Sequence, residues 1–206
     1  MFISLEGPDG SGKTSQVPRL AESLRRAGYD VLTTREPGGT AIGDQIRGVL
    51  FDLSNKGMNP RSEILLFQAS RAQLVDEVIK PALNAGQVVL CDRYADSTLA
   101  YQGYGHRVDL KHLEEIVTFA TGGLKPDLTL FLDISVEEGL KRRNSGGDWN
   151  RLDDYDLEFH RRVRDGYMKL IAAEPNRWVK VDAALSPEAV AVNLERIALE
   201  RLKQRA

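Results

Sequence analysis

The chain contains a single cysteine in 206 residues, Cys91, so no intrachain disulfide is available to staple it. Cys91 sits in the apolar run VVLC, where a buried, inert thiol is the expected state. No apolar run is long enough to span a bilayer, and the opening MFISLEGPDG lacks the basic segment of a secretory leader. A reducing, cytoplasmic setting is the expectation. An excess of either charge is also missing. Lys and Arg total 28 against 30 Asp and Glu, and a net charge of −2 supplies no long-range field for gripping nucleic acid or an anionic membrane. Neither partner is expected, and phosphate recognition has to be local. His106, His112 and His160 are scattered without metal-ligand spacing, which argues against a histidine metal centre. Without repeats or a low-complexity linker, residues 1–206 read as a single domain.

What is present is an alternation of short β-branched runs with longer helix-period segments. Strands are predicted at residues 2–6, 29–34, 88–92, 128–133 and 178–182, apolar enough to be buried on both faces. Helices are predicted at 13–27, 42–50, 62–85 and 110–120, with Gly28, Gly86 and Gly122 at or just beyond three of the stops. Ser135 with Glu138 three residues on forms a capping box, and Ser186 followed by Pro187 marks another helix start. Pro18 and Pro81 fall inside predicted helices and predict bends there. The pattern is α/β, with a parallel sheet covered by helices on both faces. One glycine-rich, charge-rich interruption, at about 142–154, is a candidate mobile lid.

Gly7-Pro8-Asp9-Gly10-Ser11-Gly12-Lys13-Thr14 matches G-x-x-x-x-G-K-[ST] and lies between the first predicted strand and the first predicted helix, the context that motif requires. Its glycines let backbone N–H groups wrap phosphate oxygens at a helix N-terminus, where the dipole favours an anion. Lys13 is placed to bridge the β- and γ-phosphates of a nucleoside triphosphate, and the Thr14 hydroxyl to take one Mg²⁺ position.

The rest of the chain narrows the subclass. A GTPase carries N-K-x-D, but the nearest string is Asn55-Lys56-Gly57-Met58, without the base-reading carboxylate. Motor ATPases end an apolar strand in an acidic pair, whereas the strand at 88–92 runs into Asp92-Arg93-Tyr94. An aspartate followed by arginine at that end suits Mg²⁺ ordering beside a second phosphate; a structural Asp–Arg ion pair is the alternative. In the 62–85 helix, Phe67 and Arg71 are four residues apart and share a face. They can stack on a pyrimidine and donate to its carbonyls, although a core Phe67 and a solvated Arg71 is the simpler reading of those two residues alone.

The P-loop, TREPGGT at 34–40, DRYADSTLAYQG at 92–103, the arginine-rich lid and VDA at 181–183 together resemble the thymidylate kinase family, in order and over nearly the whole chain. The resemblance implies a P-loop NTPase fold with a five-stranded parallel sheet flanked by helices on both faces. It also implies a homodimer and transfer of phosphate from ATP to dTMP with Mg²⁺, in dTTP biosynthesis. It assigns Phe67 and Arg71 to thymine, Tyr101 to the sugar as a block to a 2′-hydroxyl, and Thr98 and Gln102 to the base or sugar. Thr98 stands where some relatives carry Asn. Asp9 would hold the sugar 3′-hydroxyl, with a loop-capping role as the alternative. Arg93 would hold the acceptor phosphate, and Thr14 and Asp92 the metal. One subclass of the family carries a catalytic arginine in the phosphate loop and another in the lid; none stands at Pro8, Asp9, Gly10 or Ser11, so the lid has to supply it. Arg142, Arg143 and Arg151 are the candidates, with Arg151 the first choice; Arg142 or Arg143 would instead stack on adenine of ATP or be a solvated helix-end charge, and Gly146 and Gly147 are the hinge points. The rivals are another P-loop nucleotide or nucleoside kinase with a different acceptor, and a non-catalytic ATP-binding regulatory module.

Overall fold

The computed structural model describes residues 1–145 and 150–204. Five strands, β1 (Phe2–Glu6), β2 (Val31–Arg35), β3 (Val88–Asp92), β4 (Leu128–Asp133) and β5 (Trp178–Asp182), form one parallel sheet in the order β2-β3-β1-β4-β5. Position in the sheet explains their composition. Central β1 and β3 are buried at every residue and read as mainly apolar runs, while the edge strands β2 and β5 keep exposed positions such as Thr33 and Lys180. Four strands fall where the sequence predicts them; β2 begins at Val31 rather than at residue 29.

Nine α-helical segments cover the faces among the described residues: α1 (Lys13–Arg26), α2 (Ala41–Phe51), α3 (Pro60–Leu74), α4 (Lys80–Asn84), α5 (Ala95–Thr98), α6 (Leu110–Thr121), α7 (Val136–Ser145), α8 (Leu157–Ala173) and α9 (Pro187–Lys203). Their starts are chemically specified. Thr40, Asn59, Asp109 and Ser186 each accept a backbone N–H from the first turn of α2, α3, α6 and α9. Ser135 Oγ accepts from Glu138 N at 3.3 Å ahead of α7.

The two prolines behave differently. Pro18 stays inside an unbroken α1. The predicted 62–85 helix divides instead into α3, a wider π turn at Val75–Ile79 and α4, with Pro81 just beyond that turn. Proline lacks the N–H that would continue the ladder and crowds the carbonyl four residues back, and a widened turn relieves both. A second π segment, Leu99–Gly105, follows α5 and carries Tyr101 and Gln102.

Side-chain alternation along β1 divides the core. Ile3 and Leu5 join Leu20 and Leu24 of α1 and Leu194 of α9 on one face, whereas Phe2 joins Leu74, Ile79 and Tyr94 on the other. Tyr101, Phe131, Phe159, Tyr167 and Trp178 build a third cluster beneath the π segment. Among the described residues no helix is long and apolar enough to cross a membrane. The strand order sends the chain from β1 outward to β2 on one side and from β3 across to β4 on the other, which opens a crevice beyond the carboxyl ends of β1 and β3.

Candidate active site

The loop that leaves β1 winds through Gly7–Gly12 into α1. Gly10 sits at φ 74° and Gly12 at φ 91°, backbone that side chains resist. A Cβ at Gly10 would also come within 2.0 Å of the Gly139 carbonyl oxygen, so the loop packs directly on α7. Lys13 is buried within the loop, its Nζ donating to the carbonyls of Gly7 (2.9 Å) and Pro8 (2.8 Å) and to Ser11 Oγ (3.2 Å). Burial, reinforced by the Arg93 charge, pulls its pKa down to about 8 against the pull of Asp9, Asp92 and Glu6. Thr14 Oγ1 donates to Asp92 Oδ2 at 2.7 Å, which brings the P-loop hydroxyl and the β3 carboxylate together. A hydroxyl and a carboxylate are the hard oxygen donors that a phosphate-chelated Mg²⁺ takes from a protein.

Arg93 follows immediately at φ 66°, a left-handed conformation that carries strain in a non-glycine residue. Its guanidinium is held by Asp9 Oδ1 (2.5 Å), Tyr101 OH (3.1 Å), the Gly7 carbonyl (3.2 Å) and Ser97 Oγ (3.2 Å). It therefore pairs with Asp9, not with its neighbour Asp92. Tyr101 OH donates to the other Asp9 oxygen at 2.7 Å, so Asp9, Arg93 and Tyr101 form one polar unit. Behind it lies Glu6, buried at the end of β1. Its Oε2 accepts from Ser97 Oγ (2.7 Å) and Tyr167 OH (2.8 Å), and its Oε1 from Tyr94 N (2.8 Å). Burial, with Asp96 nearby, pushes Glu6 up to about 7.

At the other end of the same cleft stand Phe67 and Arg71 of α3. Arg71 is 1% exposed and no solvated charge. Nε and one terminal nitrogen donate to Glu36 Oε2 (2.8 and 2.5 Å), and that nitrogen also reaches the Tyr94 carbonyl (3.2 Å). The other terminal nitrogen donates to Gln68 Oε1 (2.7 Å) and Thr98 Oγ1 (3.0 Å). Gln102 also lines the cleft, and its Nε2 donates to Glu63 Oε1 at 2.8 Å.

The lid arginines lie in different places. Arg151 does not line the cleft. It is 5% exposed, with Nε donating to the Leu50 carbonyl (3.0 Å) and a terminal nitrogen to Glu63 Oε2 (2.6 Å). A buried carboxylate needs a cation, and Glu63 captures this one. Arg142 and Arg143 do line the cleft, Arg142 donating to the Ala183 carbonyl (2.9 Å) and Arg143 to both oxygens of Asp153 (2.9 Å each). Gly146 and Gly147 lie outside the described residues.

The cleft, about 650 Å³, thus joins the P-loop, the Thr14–Asp92 pair, the lid arginines and the Phe67–Arg71 wall in one cavity. Two cations on its wall were not singled out from the sequence: Arg35, paired with Asp44 (3.1 Å), and Arg47, which donates to the Pro37 carbonyl (2.9 Å). Arg35 lies within TREPGGT, one of the strings that carry the resemblance; Arg47 sits in α2 with no local motif around it.

Comparison with known proteins gives the same picture. The family model described as thymidylate kinase matches residues 5–194. A thymidylate kinase from Roseiflexus sp. (strain RS-1) is 53% identical over 203 residues, covering 93% of this chain and 90% of the relative. One from Exiguobacterium sp. (strain ATCC BAA-1283 / AT1b) is 46% identical over 204 residues, covering 99% and 96%. The crystal structure of thymidylate kinase from Ehrlichia chaffeensis superposes with a TM-score of 0.79 at 34% identity, covering 96% of this chain and 98% of that one. Cleft, P-loop and full-length similarity agree, and the chain belongs to the thymidylate kinase family.

Proposed function

We propose that this chain phosphorylates dTMP to dTDP with ATP. The observation that carries the reading is one cleft lined both by the P-loop and by Phe67 and Arg71, which supports a shared cavity for donor and acceptor. Phosphoryl transfer needs in-line positioning and charge stabilisation more than covalent chemistry. An oxygen of the dTMP phosphate attacks the γ-phosphorus directly, the bond to the β-phosphate oxygen breaks, and ADP leaves.

The loop from Gly7 to Gly12 and Lys13 hold the donor. Thr14 and Asp92 are the residues that would hold Mg²⁺, directly or through water, and the ion would neutralise charge between the β- and γ-phosphates. On the acceptor side thymine stacks on Phe67, with Arg71, Thr98 and Gln102 along its polar edge. Tyr101 closes the 2′ side of the sugar, and Asp9 accepts from its 3′-hydroxyl. Arg93 takes the acceptor phosphate, helped by Arg35 and Arg47 on the same wall. Arg142 and Arg143 supply the lid charge over the transferring group. The molecule works as a homodimer, joined through large apolar side chains exposed on the adjacent helices α2, α3 and α6, namely Ile42, Val49, Leu65 and Phe119. Leu50 and Ile64 of the same helices belong to the core instead.

A coupled assay with ATP and dTMP, dUMP, thymidine, CMP or shikimate tests the reading. Fastest ADP release with dTMP is the expected result. Preference for another acceptor would make the chain a related kinase, and ATP binding without turnover on any of them would make it a regulatory module.

A further inference from the structure

Glu63, in the first turn of α3, was not among the residues singled out from the sequence, yet it ties a residue of the cleft wall, Gln102, to Arg151 and Tyr155. Its side chain is 1% exposed, and its two oxygens serve different partners. Oε1 accepts from Gln102 Nε2 at 2.8 Å, with His106 Nε2 at 3.5 Å. Oε2 accepts from Arg151 at 2.6 Å, near the end of the lid segment, and from Tyr155 OH at 3.3 Å, just beyond it. Burial alone would raise the pKa of this carboxyl, but neighbouring His106, the Gln102 and Arg151 hydrogen bonds and the Arg151 charge outweigh it and hold the pKa at about 2.

An ionised carboxylate only accepts hydrogen bonds, so the edge of the Gln102 amide turned toward Glu63 has to be its NH₂. Flipping the amide would set a carbonyl against a buried carboxylate and strand the carboxylate's acceptor, which costs the full desolvation penalty. The opposite, carbonyl edge is then the one left for the cleft that Gln102 lines. A glutamine free to rotate offers either edge and cannot discriminate; a fixed one can. Uracil and thymine carry a proton on N3, whereas cytosine presents a lone pair there.

We propose that Glu63 is a specificity-determining positioning residue: by fixing the Gln102 amide it presents a hydrogen-bond acceptor to the base and so selects pyrimidines whose N3 carries a proton. The proposal rests on the reading that Gln102 contacts the acceptor base. Arg151 gains a role here that its burial denied it at the transferring phosphate, since its charge keeps Glu63 an acceptor.

The test compares kcat/KM for dUMP with that for dCMP, which share sugar and phosphate and both lack the 5-methyl group. A general loss of stability or of lid closure lowers both values together and leaves their ratio unchanged. In Glu63→Gln the amide regains its freedom, and the dUMP-to-dCMP ratio should fall by at least about tenfold, through a higher KM for dUMP and measurable turnover of dCMP. Glu63→Gln combined with Arg151→Met removes both buried charges, leaves no uncompensated guanidinium if the single variant fails to fold, and should lower the ratio in the same way. Gln102→Leu separates the two readings. A ratio lowered by Gln102→Leu but unchanged in the Glu63 variants overturns the positioning role alone. A ratio unchanged by Gln102→Leu overturns the base contact and the proposal with it.

Discussion

At the scale of single residues, the environment of Lys13 sets a pH limit. Its folded pKa of about 8 lies below the ordinary 10.5, because burial and Arg93 disfavour the cation. Below about 8 the ammonium is present and can bridge phosphates; above it the charge is lost. The kcat/KM for ATP should therefore fall on an alkaline limb centred near pH 8, and that limb should move to higher pH in Lys13→Arg, whose guanidinium stays charged. Arg151 makes the second prediction at this scale. Replacing it with Met leaves Glu63 buried without its cation, which should destabilise the fold by about 3–5 kcal/mol in urea unfolding. A stability within about 0.5 kcal/mol of wild type, together with a large fall in kcat, would return Arg151 to the transferring phosphate. The contrast shows what local sequence carries. The P-loop residues could be placed because the motif is contiguous and its geometry is a property of eight consecutive residues. The partner of Arg151 lies 88 residues away, and nothing near either residue announces the pair.

At the scale of elements, the phosphate loop and α7 are pressed together at two glycines. Gly10→Ala would drive a methyl to 2.0 Å from the Gly139 carbonyl and demand a left-handed backbone from alanine. Overpacking of this kind costs about 1–3 kcal/mol, and the loop has to separate from α7 to accept it. A lowered Tm with loss of ATP affinity by calorimetry is the expected pair of results, and an unchanged ATP Kd would mean that the contact does not shape the loop. Central strands were legible because burial on both faces leaves an uninterrupted apolar run. The π segment at Leu99–Gly105 was not, since one extra residue in a helical turn has no compositional mark. That turn carries Tyr101 toward Asp9 and Gln102 toward Glu63, so this part of the cleft wall depends on an irregularity that periodicity does not reveal.

At the scale of the whole molecule, Phe119 is 89% exposed and Leu65 59%, on helices that pack side by side. Light scattering at micromolar concentration should report twice the 22.9 kDa of one chain, and Phe119→Glu should halve that mass by burying a charge in the interface. A monomer in the unmodified protein would remove the homodimer from the proposed function. Neighbouring apolar residues of one helix part company: Leu50 and Ile64 turn into the core, while Val49 and Leu65 turn outward. The sequence by itself determined the α/β class, the strand positions within two residues, the phosphate loop and its Mg²⁺-compatible hydroxyl, because each is written in neighbouring residues. Only the tertiary structure decided that Asp92 meets Thr14 at 2.7 Å, that Arg93 pairs with Asp9, and that Arg151 is held by Glu63 away from the cleft. A buried charge is satisfied by whichever opposite charge the fold brings within reach, and that choice is made across the sheet rather than along the chain.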